Sequence, residues 1–323
     1  MKKSTWILLI IAASLLVAGL LLCVIGMMIS AEGFSFEKGW IALGKSNFVT
    51  KEYEFSEAFS SVDIVATTEK LEILPASDGI TRVVCQEDAR EPHEVIIEDG
   101  VLKIRVEEKP WYQKINLFSW GERKMTVYLA DPALDTMTLK TSTGAVRVSQ
   151  EILAKNATVE FSTAKIEFAA SVSEMLRVSG STGDVSLRGA QYGNLEVKTS
   201  TGDISLSGGS AREVSLRVST GEISVESFAC GSLAVVSSTG EQEYEGVTVD
   251  GVMTLESDTG DVSIERCCAG SAKITTDTGD VEGSFSSPMI FFATTDTGKV
   301  SVPKSSSGGI CEIKTDTGNI IFE

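Results

Sequence analysis

Asp258-Thr259-Gly260, Asp277-Thr278-Gly279, Asp296-Thr297-Gly298 and Asp316-Thr317-Gly318 spell the tripeptide with which aspartic proteases present a carboxylate. Such an enzyme brings two Asp side chains into one cleft, where they share a proton. Spacing argues against that chemistry here. The tripeptide recurs with Ser in its first position at Ser181-Thr182-Gly183, Ser200-Thr201-Gly202 and Ser219-Thr220-Gly221. A tripeptide that returns at a constant interval behaves as the corner turn of a repeat, not as one half of a catalytic pair.

The same positions raise a metal reading. The residue before Thr runs Ser142, Ser162, Ser181, Ser200, Ser219 and Ser238, then Asp258, Asp277, Asp296 and Asp316. The residue after Gly adds Asp184, Asp203, Glu222, Glu241, Asp261 and Asp280. Stacked in register, such carboxylates lie about 5 Å from their copies, close enough to repel in pairs. Calcium relieves this in nonapeptide β-rolls, but their glycine-dense G-G-x-G-x-D sites are missing here. The expectation is a solvated acidic stripe, screened by water and salt, with no metal site. His93 is the one histidine, beside Pro92 and expected on a loop. No Walker loop, dinucleotide fingerprint or H-E-x-x-H occurs. The residues support no catalysis and no cofactor, so a non-enzymatic protein is expected.

What positions these residues is the repeat. Counting the weaker copies at Gly144, Ala164, Gly240 and Gly298 there are ten corners, spaced 19 or 20 residues apart. In the unit Asp184–Gly202, Val185 and Leu187 alternate with Ser186 and Arg188, and a second alternation follows through Leu195, Val197 and Thr199. Each unit is two short half-buried strands with a Gly at the tight corner between them. Neither strand closes a core alone. Stacked coil on coil, the inward Val, Leu and Ile form an apolar column, and each strand pairs in parallel with its copies. The fold class expected is all-β: a parallel β-solenoid of about ten 19–20-residue coils with an N-terminal β cap, preceded by one transmembrane helix. At the inter-strand spacing this is a rod about 48 Å long.

Taken in order, four regions are expected: an anchor over 1–31, a juxtamembrane linker over 32–51, a first degenerate coil and β capping insertion over 52–136, and the regular solenoid over 137–323. Ser4–Ala31 carries no charge and is long enough to cross a bilayer. Lys2 and Lys3 precede it, which puts the N-terminus in the cytoplasm and the solenoid outside, as a single-pass cell-membrane protein. Ile29-Ser30-Ala31 also fits a cleavage site, so a cleaved leader is the rival reading; Leu20-Leu21-Leu22-Cys23 is too bulky for a lipoprotein box. Residues 62–73 read as a coil without its Gly. Thr81–Cys85, Glu94–Ile97, Val101–Val106 and Lys124–Leu129 read as strands that break the period, with a hairpin turn at Glu98-Asp99-Gly100. An open solenoid end exposes an apolar layer and unpaired backbone, and this insertion is placed to cover the first coil. Five cysteines beyond the anchor, Cys85, Cys230, Cys267, Cys268 and Cys311, lack C-x-x-C spacing and read as small core fillers.

Two stretches could bind. Lys109–Trp120 concentrates Trp111, Tyr112, Phe118 and Trp120 in a chain that is 7% aromatic; it is either a lid on the first coil or a sticky loop. At the other end the sequence closes on Ile320-Ile321-Phe322-Glu323 directly after a corner, so Ile321 and Phe322 are expected on an uncovered distal edge to which a partner adds a strand. A formal net charge of −17 excludes a nucleic-acid partner and general attraction to anionic lipid.

The ordered combination of the anchor, YEFSEAFSSVDI, KLEILPASDG, EVIIEDGVLKIRVEE, an aromatic stretch, KMTVYLA and the S/D-T-G-D/E-V/I coils resembles the β-strand-repeat "putative adhesin" domain-of-unknown-function family of Gram-positive envelope proteins over residues 50–323. The resemblance implies a β-solenoid outside the cytoplasmic membrane, with relatives in Lia-type envelope-stress systems, and transfers no active-site residue. Ala164 and Gln242 depart from the repeat, so their coils are expected to be locally irregular. The function expected is a membrane-anchored extracytoplasmic binding or scaffold protein whose partners are cell-envelope or membrane proteins. The alternative is a surface adhesin with a carbohydrate or protein ligand.

Overall fold

A computed structural model describes residues 48–88, 92–106 and 123–323, together with the positions Gly19 and Leu22. Apart from those two positions, the expected anchor lies outside the described residues, among which no helix is long and apolar enough to cross a membrane.

Alternation of apolar and polar residues makes the described chain almost entirely strand. The first seven strands are β1 (Phe48–Phe55), β2 (Ser61–Ala66), β3 (Glu69–Pro75), β4 (Thr81–Asp88), β5 (His93–Glu98), β6 (Val101–Val106) and β7 (Arg123–Leu129). The repeat then supplies β8 (Ala133–Val148), β9 (Leu153–Phe168), β10 (Ser171–Thr182), β11 (Val185–Thr201), β12 (Ile204–Thr220), β13 (Ile223–Glu226), β14 (Ala229–Thr239), β15 (Gln242–Glu245), β16 (Thr248–Thr259), β17 (Val262–Thr278) and β18 (Val281–Phe285). The last four are β19 (Met289–Thr297), β20 (Val300–Ser301), β21 (Gly309–Thr317) and β22 (Ile320–Phe322). Together they wind a parallel β-solenoid of about nine turns, where ten were expected. Nine of the ten corner positions are glycines with positive φ. The tenth is Ala164, where β9 runs through the corner as continuous strand paired in register with β8, Gly144 opposite Ala164.

From β8 to β17 residues pair with their copies 19 or 20 positions on. Val185, Ile204, Ile223, Gln242, Val262 and Val281 form one inward column, and Val197, Leu216, Val235, Leu255 and Ile274 another. These residues are buried. Their neighbours Glu196, Ser215, Thr254 and Lys273 alternate to the outer face. Burial of each inward Val, Leu or Ile contributes about 1.5–3 kcal/mol, and the ladder carries the backbone pairing around the corners: the N–H of Gly202 donates to the Thr220 carbonyl at 3.0 Å and that of Gly221 to Thr239 at 3.0 Å.

At the first coil the non-periodic strands continue the stack. β6 pairs in parallel with β2 and β7 with β3. β5 and β4 then close on β6 and β7 as antiparallel partners, the β5–β6 hairpin turning at Asp99-Gly100. His93, expected on a loop, opens β5 and is 5% exposed.

Gln242 produces no irregularity. It stands in an apolar column, fully buried, with the register on both sides unbroken. A buried amide is tolerated when its hydrogen bonds are made. Gln242 Nε2 donates to Ser237 Oγ at 2.7 Å and to the Glu256 carbonyl at 2.8 Å, and its Oε1 accepts from the Tyr244 hydroxyl at 2.8 Å. Gln242→Leu leaves the Tyr244 hydroxyl buried without its acceptor and is expected to cost about 1–3 kcal/mol, most of it recovered by adding Tyr244→Phe. Urea unfolding of both single variants and the double checks this; additive losses would exclude the network.

The far end holds the main departure from expectation. β21 lies between β17 and β19, and β22 between β18 and β20. The stack therefore runs through the corners Gly279, Gly318 and Gly298 in that order: the N–H of Gly279 donates to Thr317 O and that of Gly318 to Thr297 O, both at 2.9 Å. The outermost layer is β19–β20, not the terminal strand.

Candidate functional site

The residue after the corner glycine has a structural use that its sequence pattern does not announce. Asp184 Oδ1 accepts the Asp203 N–H at 3.2 Å, and Asp203 Oδ1 accepts the Glu222 N–H at 2.9 Å. Asp261 does the same for Asp280 at 2.8 Å, and Asp280 for Asn319 at 2.7 Å. Each carboxylate thus caps the next coil's turn, which places like charges along one rim. At Glu222 burial, then Glu243, Asp203 and Glu241, push the carboxyl above its ordinary range. No group of His, Cys, Asp and Glu among the described residues is arranged to hold a metal.

A second cluster sits in the cap. Glu69 occupies the place of the corner glycine in the first coil: an added Cβ on Gly144 would meet the Glu69 carbonyl. Its carboxylate folds back so that Oε2 accepts the N–H groups of Thr67 at 2.7 Å and Thr68 at 2.9 Å, while Oε1 lies 3.4 Å from Arg123 Nε and 3.8 Å from His93 Nε2. Glu87 Oε2 accepts the His93 N–H at 2.6 Å and lies 3.1 Å from His93 Nδ1; Lys51 pairs with its other oxygen. Burial works against both carboxylates. At Glu69 the Arg123 guanidinium and the Thr67 N–H outweigh it, and at Glu87 Lys51 and His93 do, so each carboxyl is held below its ordinary range. Every member closes on another member, which makes this a clamp on the first corner.

The buried thiols are poor nucleophiles. All five described cysteines are free, and four are buried. Burial pushes Cys85 and Cys311 up to about 12 and Cys230 up to about 11, far from the thiolate form.

Surface able to bind lies at the β19–β20 end. β19 pairs with β21 and β20 with β22, and neither has a strand on its other side among the described residues. Outward from this edge stand Phe292, 59% exposed, and Ile310, 54% exposed, with Ile290 directly paired to Ile310. Val252 continues the apolar row two layers in, across Ser271. A separate groove of about 530 Å³ crosses four coils and is lined by Leu134, Leu153, Val172, Tyr192 and Gly193, with Asp135 and Lys155 paired at 2.6 Å on its rim.

Of the residues expected to bind, Trp111, Tyr112, Phe118 and Trp120 lie outside the described residues. Ile321 is 42% exposed, whereas Phe322 is buried. Phe322 stacks on Phe285 at 5.7 Å and tilts against Phe291 at 5.2 Å. The expectation that Ile321 and Phe322 form an uncovered edge is therefore corrected, because their strand has a neighbour on each side and its phenyl ring is needed to fill the core. Phe292 and Ile310 went unnoticed in the sequence. The doubled Phe291-Phe292 was the available signal, since strand alternation must turn one of the two outward.

Comparison with solved structures gives the same architecture. A structure described as a "putative adhesin" from Parabacteroides distasonis ATCC 8503 superposes with a TM-score of 0.51 at 12% identity, covering 83% of this chain and 98% of that one. A second from the same organism, described as a "putative lipid binding protein", gives 0.47 at 14% identity over 86% and 99%. A third, from Parabacteroides merdae ATCC 43184 and again described as a "putative adhesin", gives 0.44 at 11% over 88% and 98%. At such identities the likeness speaks to the fold alone. No curated protein matches the chain. The family model that does match, Toastrack DUF4097, covers residues 59–322, and the chain belongs to that family.

Proposed function

We propose that this Toastrack chain is a non-enzymatic, membrane-anchored extracytoplasmic protein that binds and scaffolds other cell-envelope or membrane proteins, with the envelope-stress setting of Lia-type systems as its context. The observation that carries this reading is the β19 edge, where strand backbone with no further partner among the described residues coincides with the exposed Phe292 and Ile310 and the half-buried Ile290. An extended segment of a partner gains main-chain hydrogen bonds there and buries those side chains. The edge and the capped first coil occupy opposite ends of the stack. The uncharged length of 4–31 after Lys2 and Lys3 supports that anchor.

The test is recovery of partners from native membranes with the tagged full chain, with and without an envelope antibiotic. Ile290→Lys with Phe292→Lys places charge on the edge, as natural edge strands do, and is expected to abolish recovery of membrane proteins. Undiminished recovery would move the site elsewhere. Protease added to spheroplasts should degrade the solenoid and spare the N-terminus; a mature chain beginning at Glu32 in the medium would overturn the anchor. A second reading, an adhesin for a surface carbohydrate or protein, is favoured by the groove at Leu153 and Tyr192, and would be indicated by recovery of a polymer instead of membrane proteins.

A further inference from the structure

At the cap β2–β3 lies between β6–β7 and β8. At the far end the stack again departs from chain order, and there it shows how one strand is recognised by two others. From β18 the chain passes to the outermost layer, β19–β20, and only then returns to lay β21–β22 in the slot beneath. Both walls of that slot meet the inserted segment in full register. Ser271 to Thr278 pair with Ile310 to Thr317 on one side, and Met289 to Thr297 pair with Gly309 to Thr317 on the other.

The slot also reads side chains. In the column Leu187, Leu206, Val225, Tyr244, Ile264 the next residue is Gly283, which leaves an unfilled layer. Phe322 pairs with Gly283 and supplies the missing volume, seated between Phe285 and Phe291. At the corner Asn319 replaces the usual carboxylate. Its Nδ2 donates to Asp280 Oδ2 at 3.2 Å, and its Oδ1 accepts the Lys299 N–H at 3.1 Å, so it answers a different neighbour on each side.

The connection that delivers this segment is held weakly. Residues 302–308 form no strand, and Pro303, Lys304, Ser306, Ser307 and Gly308 are exposed. Ser305 and Ser307 bond to each other: Ser305 Oγ donates to the Ser307 carbonyl at 2.6 Å and accepts the Ser307 N–H at 3.3 Å. A segment that enters a gap between walls already formed meets the same gap, with the same walls and the same phenyl seat, in any other copy of the chain.

We propose that β21–β22 is an exchangeable coil, and that two copies of this protein join by each inserting residues 309–322 into the slot between β17–β18 and β19–β20 of the other. The fit of the occupant needs no further assumption, because the slot is already filled by the identical sequence. Within one chain the tether gives the segment a high effective concentration, so the closed monomer dominates in dilute solution. The exchange takes over when concentration rises or the tether fails to reach.

Ala272 on β17 pairs with Cys311 on β21. At the inter-strand spacing of about 4.8 Å the two Cα atoms are within disulfide range. The full chain carrying Ala272→Cys, in mild detergent under oxidation, is expected to cross-link within one chain at low concentration. Deleting Ser305–Ser307 brings the Gly298 and Gly318 corners three residues closer than their 20-residue spacing, too short for the tether to complete its own coil. The cross-link is then expected between chains, doubling the mass on a non-reducing gel. No cross-link in the parent variant would overturn the placement of β21 and the proposal with it. A within-chain cross-link that persists after the deletion would overturn the exchange alone. Should the deletion abolish the β circular dichroism, two differently tagged copies of the Ala272→Cys chain are unfolded together, refolded and oxidised. Disulfides joining the two tags support the exchange, and their absence at every concentration overturns it. This outcome is separable from the partner-binding reading, which rests on the opposite side of β19.

Discussion

Gly240→Ala is expected to cost this protein about 3–5 kcal/mol, whereas Gly189→Ala costs about 1 kcal/mol, although both glycines have positive φ. At Gly240, φ is +132 and an added Cβ falls against the carbonyl of Gly221, the corner one layer below. That carbonyl cannot withdraw, because the corner is fixed on both sides: Gly221 donates to Thr239 O and Gly240 to Thr259 O, each at 3.0 Å. The substitution therefore adds a collision with backbone to the conformational penalty, and relief requires opening the stack. Gly189, at φ +63, has nothing within 4 Å of the added carbon, so only the left-handed penalty applies. Urea titrations of the two variants separate these cases. Equal losses would mean that the corners tolerate a side chain and that their regular glycine has another origin.

The same collision explains why the architecture could be read from the sequence. A corner stacked on a corner leaves no room for a Cβ, so the repeat writes a glycine at 19 or 20 residues and the strands between follow from alternation. Ala164 is legible in hindsight, since β9 passes its corner as plain strand. Gln242 was not: its partners Ser237, Tyr244 and Glu256 come from the same and the following coil, and no local pattern marks a satisfied amide. Layer order was also hidden. Corner spacings of 19 and 20 permit β19–β20 to stack before or after β21–β22. Val302 follows Gly298 at the same interval as Phe322 follows Gly318, and it is Phe322 that covers Gly283, while Asn319 bonds Asp280 on one side and Lys299 on the other. The exposed apolar surface of this end lies for that reason on Phe292 and Ile310, while Phe322 is buried.

The first corner, which has Glu69 in place of glycine with Arg123 in register beside it, carries the second large effect. Glu69→Ala is expected to destabilise the protein by about 3–5 kcal/mol, the cost of breaking a buried ionic network by removing one partner. Three groups lose an acceptor or counter-charge at once: the N–H groups of Thr67 and Thr68 and the Arg123 guanidinium. Glu69→Gln keeps the shape and an acceptor oxygen but discards the charge, and should fall between the two. The pH dependence follows with a definite sign. Because the folded carboxyls of Glu69 and Glu87 are held below the ordinary value of 4.5, the folded state binds fewer protons there than the unfolded chain. Their contribution is complete above that ordinary value and is lost as the pH falls through the lower, folded one. The wild-type chain should therefore lose stability on acidification below about pH 4.5, and the Glu69→Ala chain should lose less over the same interval, so that the two curves converge in acid. Curves that stay parallel from about pH 6 to about pH 3 would show that the carboxylate holds no charge-dependent role in the first corner, leaving only its shape to account for the loss.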